Sequence, residues 1–137
     1  MATAKIPPQS IASEQSVLGA ILIDKNAIVE VAGFLRPEHF YEDRHGEIFN
    51  AMLGLYEERR PIDLLTLTEK LKADKKYKEV GGSAYLTELT GIVPTAANIE
   101  EYGKMIRELY AKRELISASS ELAEMSFDSG KNLRDVL

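Results

Sequence analysis

Two histidines, His39 and His45, are the only imidazoles in this chain. They stand six residues apart, whereas a zinc-binding pair on one helix face needs a spacing of four, so no zinc-protease pattern exists. Both are expected to be ordinary surface or loop histidines. A phosphate-binding loop needs Gly, four residues and then Gly-Lys-Ser/Thr, so that backbone amides can wrap a phosphate. Gly103-Lys104 runs on into Met105 and Gly130-Lys131 into Asn132, and neither has the upstream glycine. Gly81-Gly82-Ser83-Ala84-Tyr85 lacks the last glycine of a nucleophile elbow. Asp and Glu are plentiful, but nothing distinguishes an acid–base pair among them from solvated charges. With no cysteine, thiolate nucleophiles, thiolate metal ligands and disulfides are all excluded. No catalytic, cofactor-binding or metal-binding residue is expected in this chain.

Binding chemistry is the next possibility. The 137 residues carry 17 Lys+Arg against 22 Asp+Glu, a net charge of −5. A sequence-independent nucleic-acid binder normally shows a basic excess or stripe. The lysines between Lys70 and Lys78 are interleaved with Asp74 and Glu79, which reads as a solvated helix end. A helix-turn-helix over Ser83–Gly91 and the helix from Asn98 has too long a connecting loop. Its second helix would also approach phosphates with Glu100 and Glu101. Little or no direct DNA binding is expected. The longest apolar run, Val17 to Ile23, is far short of a membrane span, and the N-terminus lacks the apolar core of a signal peptide. A cytoplasmic location is the expectation.

The elements behind these residues read as helices throughout. Residues 1–9 read as a loose arm stiffened by Pro7 and Pro8. Ser10 is placed to cap a helix whose face is Val17, Leu18, Ile21 and Leu22. A second helix is expected over Asn26 to Leu35, and a third from Asp43 to Glu58 with Ile48, Phe49, Met52, Leu53 and Tyr56 inward. Asp63 is placed to cap a fourth, with Leu64, Leu67 and Leu71 on its apolar face. Ser83 is placed to cap a fifth, carrying Leu86 and Leu89 up to Gly91, and Pro94 breaks the pattern. Residues 10–97 therefore read as a globular helical head.

The last element is different in kind. From the cap pattern of Asn98 and Glu101, nothing stops a helix before Asp128-Ser129-Gly130. Such a helix is about 45 Å long at 1.5 Å per residue, longer than a head about 30 Å across. Part of it must protrude. Ile99, Tyr102, Ile106, Leu109, Ile116, Ala123 and Phe127 follow three- and four-residue steps, the spacing of a helix–helix seam, interrupted by Arg113 and Ser120. The first half, Ile99 to Leu109, is expected to pack on its own head. The candidate interface is Ile106, Leu109, Arg113, Ile116, Ser120, Ala123 and Phe127. After the turn, Leu133, Val136 and Leu137 begin another stripe. Residues 98–137 thus read as a helical hairpin whose second arm is cut short, and the chain as a domain of a longer polypeptide.

Several short motifs carry a resemblance. Pro8-Gln9-Ser10-Ile11-Ala12-Ser13-Glu14-Gln15-Ser16-Val17-Leu18-Gly19 resembles the opening of bacterial replicative DNA helicases of the DnaB type. So do Phe40-Tyr41 with His45 to Phe49, Pro61-Ile62-Asp63-Leu64-Leu65-Thr66-Leu67, Gly81-Gly82-Ser83-Ala84-Tyr85-Leu86 and Pro94-Thr95-Ala96-Ala97-Asn98-Ile99. Each is weak alone, but five in register are specific, and the resemblance covers about residues 8 to 137. The resemblance implies an all-α head followed by a helical hairpin, the family's N-terminal domain. It further implies pairing of hairpins into a collar, a trimer of dimers, above a hexameric motor ring. Docking of a DnaG-type primase on that collar is implied too, and in some systems a loader. ATP and Mg are implied for the motor domain, whose phosphate-binding loop these 137 residues do not contain. The alternatives are the helicase-binding domain of a primase and, from a different class, a small DNA-binding regulator. The position of the Pro8–Gly19 motif near the start of the chain argues against the primase side.

Overall fold

The computed structural model describes residues 5–92 and 98–136, and every regular element among them is helical. Seven α-helices follow in order: α1 Ile11–Ile23, α2 Val29–Ala32, α3 Asp43–Glu57, α4 Leu64–Ala73, α5 Gly82–Gly91, α6 Ile99–Phe127 and α7 Leu133–Val136. A 3-10 turn, Pro37–His39, links α2 to α3. The all-α expectation holds. Pro94 and the stretch to Ala97, residues 1–4 and Leu137 lie outside the described residues.

α1 starts where Ser10, in extended backbone, accepts a hydrogen bond from the Ser13 N–H. It is the central element, packed against α3, α5 and α6. Val17, Leu18, Ala20 and Ile21 are buried against Phe49, Met52, Leu86, Leu89 and Ile106 in one continuous core. Gly19 is required by this packing. A β-carbon there would sit 2.5 Å from the Leu89 carbonyl oxygen, closer than any side chain can approach. α4 opens with a reciprocal cap: Asp63 accepts from the Thr66 N–H at 2.9 Å and the Asp63 N–H donates back to Thr66 Oγ1 at 3.0 Å.

Four expectations are corrected. The second helix is only Val29–Ala32, since most of its bonds close three-residue turns, such as Val29 N–H to Asn26 O and Glu30 N–H to Ala27 O. Three β-branched residues and Gly33 give this stretch little helical preference of its own, although Ile28, Val31 and Leu35 are buried as expected. On α3 the residue completing the buried face is Leu55, while Tyr56 is exposed. α5 begins at Gly82, with Gly81 at φ 106° in the capping position, so Ser83 lies inside the first turn. On α4, Leu64 faces outward and only Leu67 and Leu71 are fully buried.

Candidate interaction surface

α6 has 29 residues, about 44 Å of helix, and its two halves meet different surroundings. The N-terminal half lies on α1, α2 and the 3-10 turn. Ile99 and Ile106 enter the core, and Gly103 permits the close approach, since a β-carbon there would be 2.8 Å from Val31 Cγ1. Ser13 donates from α1 to the Met105 sulfur at 3.1 Å, and the Arg107 guanidinium lies 4.9 Å from the Phe34 ring centroid. The His39 ring meets Tyr110 at 4.9 Å. Arg113 closes this half: Nη1 donates to the Pro8 carbonyl at 2.7 Å and Nη2 to the His39 carbonyl at 2.8 Å. The arm expected to be loose is therefore held to α6 at Pro8.

Beyond Arg113 the head ends and the helix continues. Leu115 is 67% exposed, Ile116 53% and Phe127 90%. Advancing about 100° per residue, Leu115, Ile116, Ala118, Leu122, Ala123, Met125 and Phe127 share roughly 200° of the circumference. Glu114, Glu121 and Glu124 occupy the opposite side. α7 turns back against α6, and Met125 and Val136 are half-buried. Ile116 and Ser117 also border a hollow of about 600 Å³ completed by Lys5, Ile6, Pro7, Tyr41 and Arg113.

The expected interface residues divide accordingly. Ile106, at 1% exposure, is a core residue and cannot serve an external surface. Leu109 is half-buried against the head, and Arg113 is half-buried and committed to two carbonyls. Ile116, Ser120, Ala123 and Phe127 are exposed together on the free half. Leu115 and Leu122, also exposed on this half, lie outside the expected seam. Their signal was present in a neighbouring register: Ala111, Leu115, Ala118, Leu122 and Met125 run at four, three, four and three with no polar interruption.

A second constellation lies inside the head. His45, expected to be a surface or loop histidine, is fully buried at the start of α3. Its Nδ1 is 2.8 Å from Glu14 Oε1, and its Nε2 meets the Tyr85 hydroxyl. The same carboxylate accepts the Tyr41 N–H at 2.6 Å and the Glu42 N–H at 3.3 Å, so it serves the N-terminus of α3. Gln15 Nε2 donates to Tyr85 Oη at 3.2 Å, and the Arg44 guanidinium stacks 3.6 Å from the Tyr85 ring centroid. Satisfying every partner assigns the proton to Nδ1 of a neutral imidazole, with Tyr85 donating to Nε2. Burial pushes the Tyr85 phenol pKa up, which favours that donating form. This carboxylate–imidazole–phenol series joins α1, α3 and α5. Glu14 and His45 are shielded from solvent, so the series holds the head together and no substrate reaches it. Nearby, Lys70 pairs with Glu58, and Lys76 with Glu47 and Glu79, in keeping with a solvated helix end.

Fold and surface together define a class: an all-helical domain that buries one end of a long helix and projects the other. The chain belongs to the family described as the DnaB-like helicase N-terminal domain, which matches residues 6–108. It is 44% identical over 120 residues to the replicative DNA helicase DnaB of Geobacillus stearothermophilus, covering 88% of this chain and 26% of that protein. It is 40% identical over 133 residues to the replicative DNA helicase DnaC of Bacillus subtilis, covering 97% and 29%. The chain thus spans less than a third of either relative's length. Its fold matches the crystal structure of the N-terminal domain of DnaB helicase from Mycobacterium tuberculosis with a TM-score of 0.89 and 35% identity, over 94% of this chain and 92% of that one. A structure described as a DnaB-like replicative helicase and its interactions with primase matches with a TM-score of 0.72 and 30% identity, over 84% of this chain and 27% of that one.

The sequence has no phosphate-binding loop, and among the described residues no group of three or more His, Asp or Glu could hold a metal. No helix of the described residues is long and apolar enough to cross a membrane.

Proposed function

We propose that this chain is the assembly and docking domain of a replicative DNA helicase acting in the cytoplasm at the replication fork, with no chemistry of its own. The free half of α6, with α7, pairs with the same half of a second copy, and such pairs build the collar of a hexamer. The head and collar offer surface to a primase and, where one is used, to a loader. ATP and Mg belong to the motor of the parent protein. The exposed apolar face of α6 carries this reading, because a face of that width on a projecting helix calls for another helix to cover it. The relative described together with primase supports the primase contact.

Ile116→Asp places a charge on that face, at a position 53% exposed in the single chain. Light scattering is expected to show the mass falling to that of one chain, with circular dichroism unchanged. An unchanged mass, from a native chain that dimerises, contradicts the reading.

A further inference from the structure

Arg113 interrupts the apolar seam of α6, and its side chain explains why. Its two terminal nitrogens reach main-chain carbonyls of two separate segments, Pro8 at 2.7 Å and His39 at 2.8 Å. The guanidinium also lies 5.4 Å from the Tyr41 ring centroid and 5.7 Å from that of Tyr110. A rigid fork with several donors can hold two carbonyls at once, which a lysine ammonium on a flexible stem cannot do with the same geometry. Pro7-Pro8 is stiff, so fixing one carbonyl fixes the direction of the neighbouring residues as well. The consequence is visible beside α6, where Ile6 and Pro7 wall a hollow of about 600 Å³ that Ile116 and Ser117 also line. Ile116 belongs both to this hollow and to the exposed face, so the two are continuous.

We propose that Arg113 is a positioning residue for the partner surface. By tying the arm at Pro8 and the 3-10 turn at His39 to α6, it holds Ile6 and Pro7 as a wall beside Ile116, so that a second copy of this chain meets arm and helix as one preformed surface. This inference rests on the reading of the free half of α6 as the pairing surface. Without the clamp, the arm must be ordered at the moment of binding, and association is expected to weaken roughly tenfold through that lost preorganisation.

The chain has no cysteine, so a nitroxide on Lys5→Cys reports the arm alone. At concentrations where the chain is monomeric, the native background is expected to give a slow-moving spectral component. Arg113→Ala is expected to lose it and Arg113→Lys to keep only part of it, with helicity unchanged. Analytical ultracentrifugation of the unlabelled Arg113→Ala chain is expected to show the roughly tenfold weaker association. Equal label mobility in the native and variant backgrounds overturns the clamp. A mobilised label with unchanged association overturns the positioning role. Failure of Ile116→Asp to alter association defeats the pairing reading itself, whatever Arg113 does. Should Arg113→Ala not fold, Arg113→Lys supplies both comparisons.

Discussion

Ile106 and Ile116 lie ten residues apart on one helix, yet one is 1% exposed and the other 53%. Up to Arg113, α6 is part of the head: its isoleucines fill the core, Gly103 lets it approach α2, and Arg113 ties it to two other segments. After Arg113, among the described residues, the same helix meets the edge of the arm at Ile116 and Ser117 and then α7. A helical segment of a dozen or so residues is marginal in water by itself, so the free half depends on continuity with the docked half and on whatever covers its apolar face. One helix can therefore serve both as core and as adhesive surface, with a single arginine at the border.

That contrast can be broken in measurable ways. The largest effect is expected at the docked end. Ile106→Ala should lower the stability of the monomer by about 2–5 kcal/mol, through lost burial and a residual cavity. Ile116→Ala in the same dilute conditions should cost no more than about 0.5 kcal/mol, because more than half of the side chain is exposed and it only borders the open hollow beside the arm. Urea unfolding at low protein concentration checks both, and equal losses at the two sites would erase the distinction.

Next in size is the polar joint of the head. Glu14→Ala removes the acceptor for two backbone N–H groups and the His45 ring. It should cost about 3 kcal/mol, because buried donors are left without their acceptor, at about 1–3 kcal/mol for each such group. The same unfolding series tests it, and nuclear magnetic resonance of the His45 ring should show its tautomer no longer fixed.

The smallest effect concerns pH at the border between the two regions. Burial, with Arg107, Arg36 and Arg113 adding to it against the opposing pull of Glu38, lowers the His39 pKa below its ordinary 6.5. The neutral ring accepts the Arg36 N–H through Nδ1 at 3.0 Å and packs on Tyr110. Between that lowered value and 6.5 the unfolded chain binds more protons than the folded one, so stability increases with pH. His39 should therefore contribute stability that is complete above about pH 6.5 and is lost as pH falls through its folded-state value. His39→Gln should flatten that part of the stability profile, measured by thermal unfolding across pH 5–7.

Much of the architecture was legible in residue order, and the failures have physical causes. The helices from Ser10 and Asp63 announce themselves through caps, and those from Asp43 and Asn98 through apolar positions at a period near 3.6. Asn26 to Leu35 showed the same spacing of Ile28, Val31 and Leu35, but three buried positions do not prove a regular helix when tertiary packing can bury them from a turn. His45 is buried against local expectation because its partners, Glu14 and Tyr85, lie 31 and 40 residues away. Local pattern reports which faces are apolar, and it does not report which polar side chain has found a buried partner. Arg113 failed the seam pattern for the same reason, since its partners are carbonyls, which no side-chain pattern encodes. The protruding helix was legible from length alone, because 29 residues of helix outrun a head of this size.

Amide hydrogen exchange along α6, followed as a function of protein concentration, separates a docked half from a pairing half. Residues 99–110 should exchange slowly at every concentration, since the head protects them. Residues 114–127 should exchange fast when dilute and become protected as the chain self-associates. Protection of residues 114–127 that does not change with concentration, in a chain that demonstrably dimerises, would contradict the account.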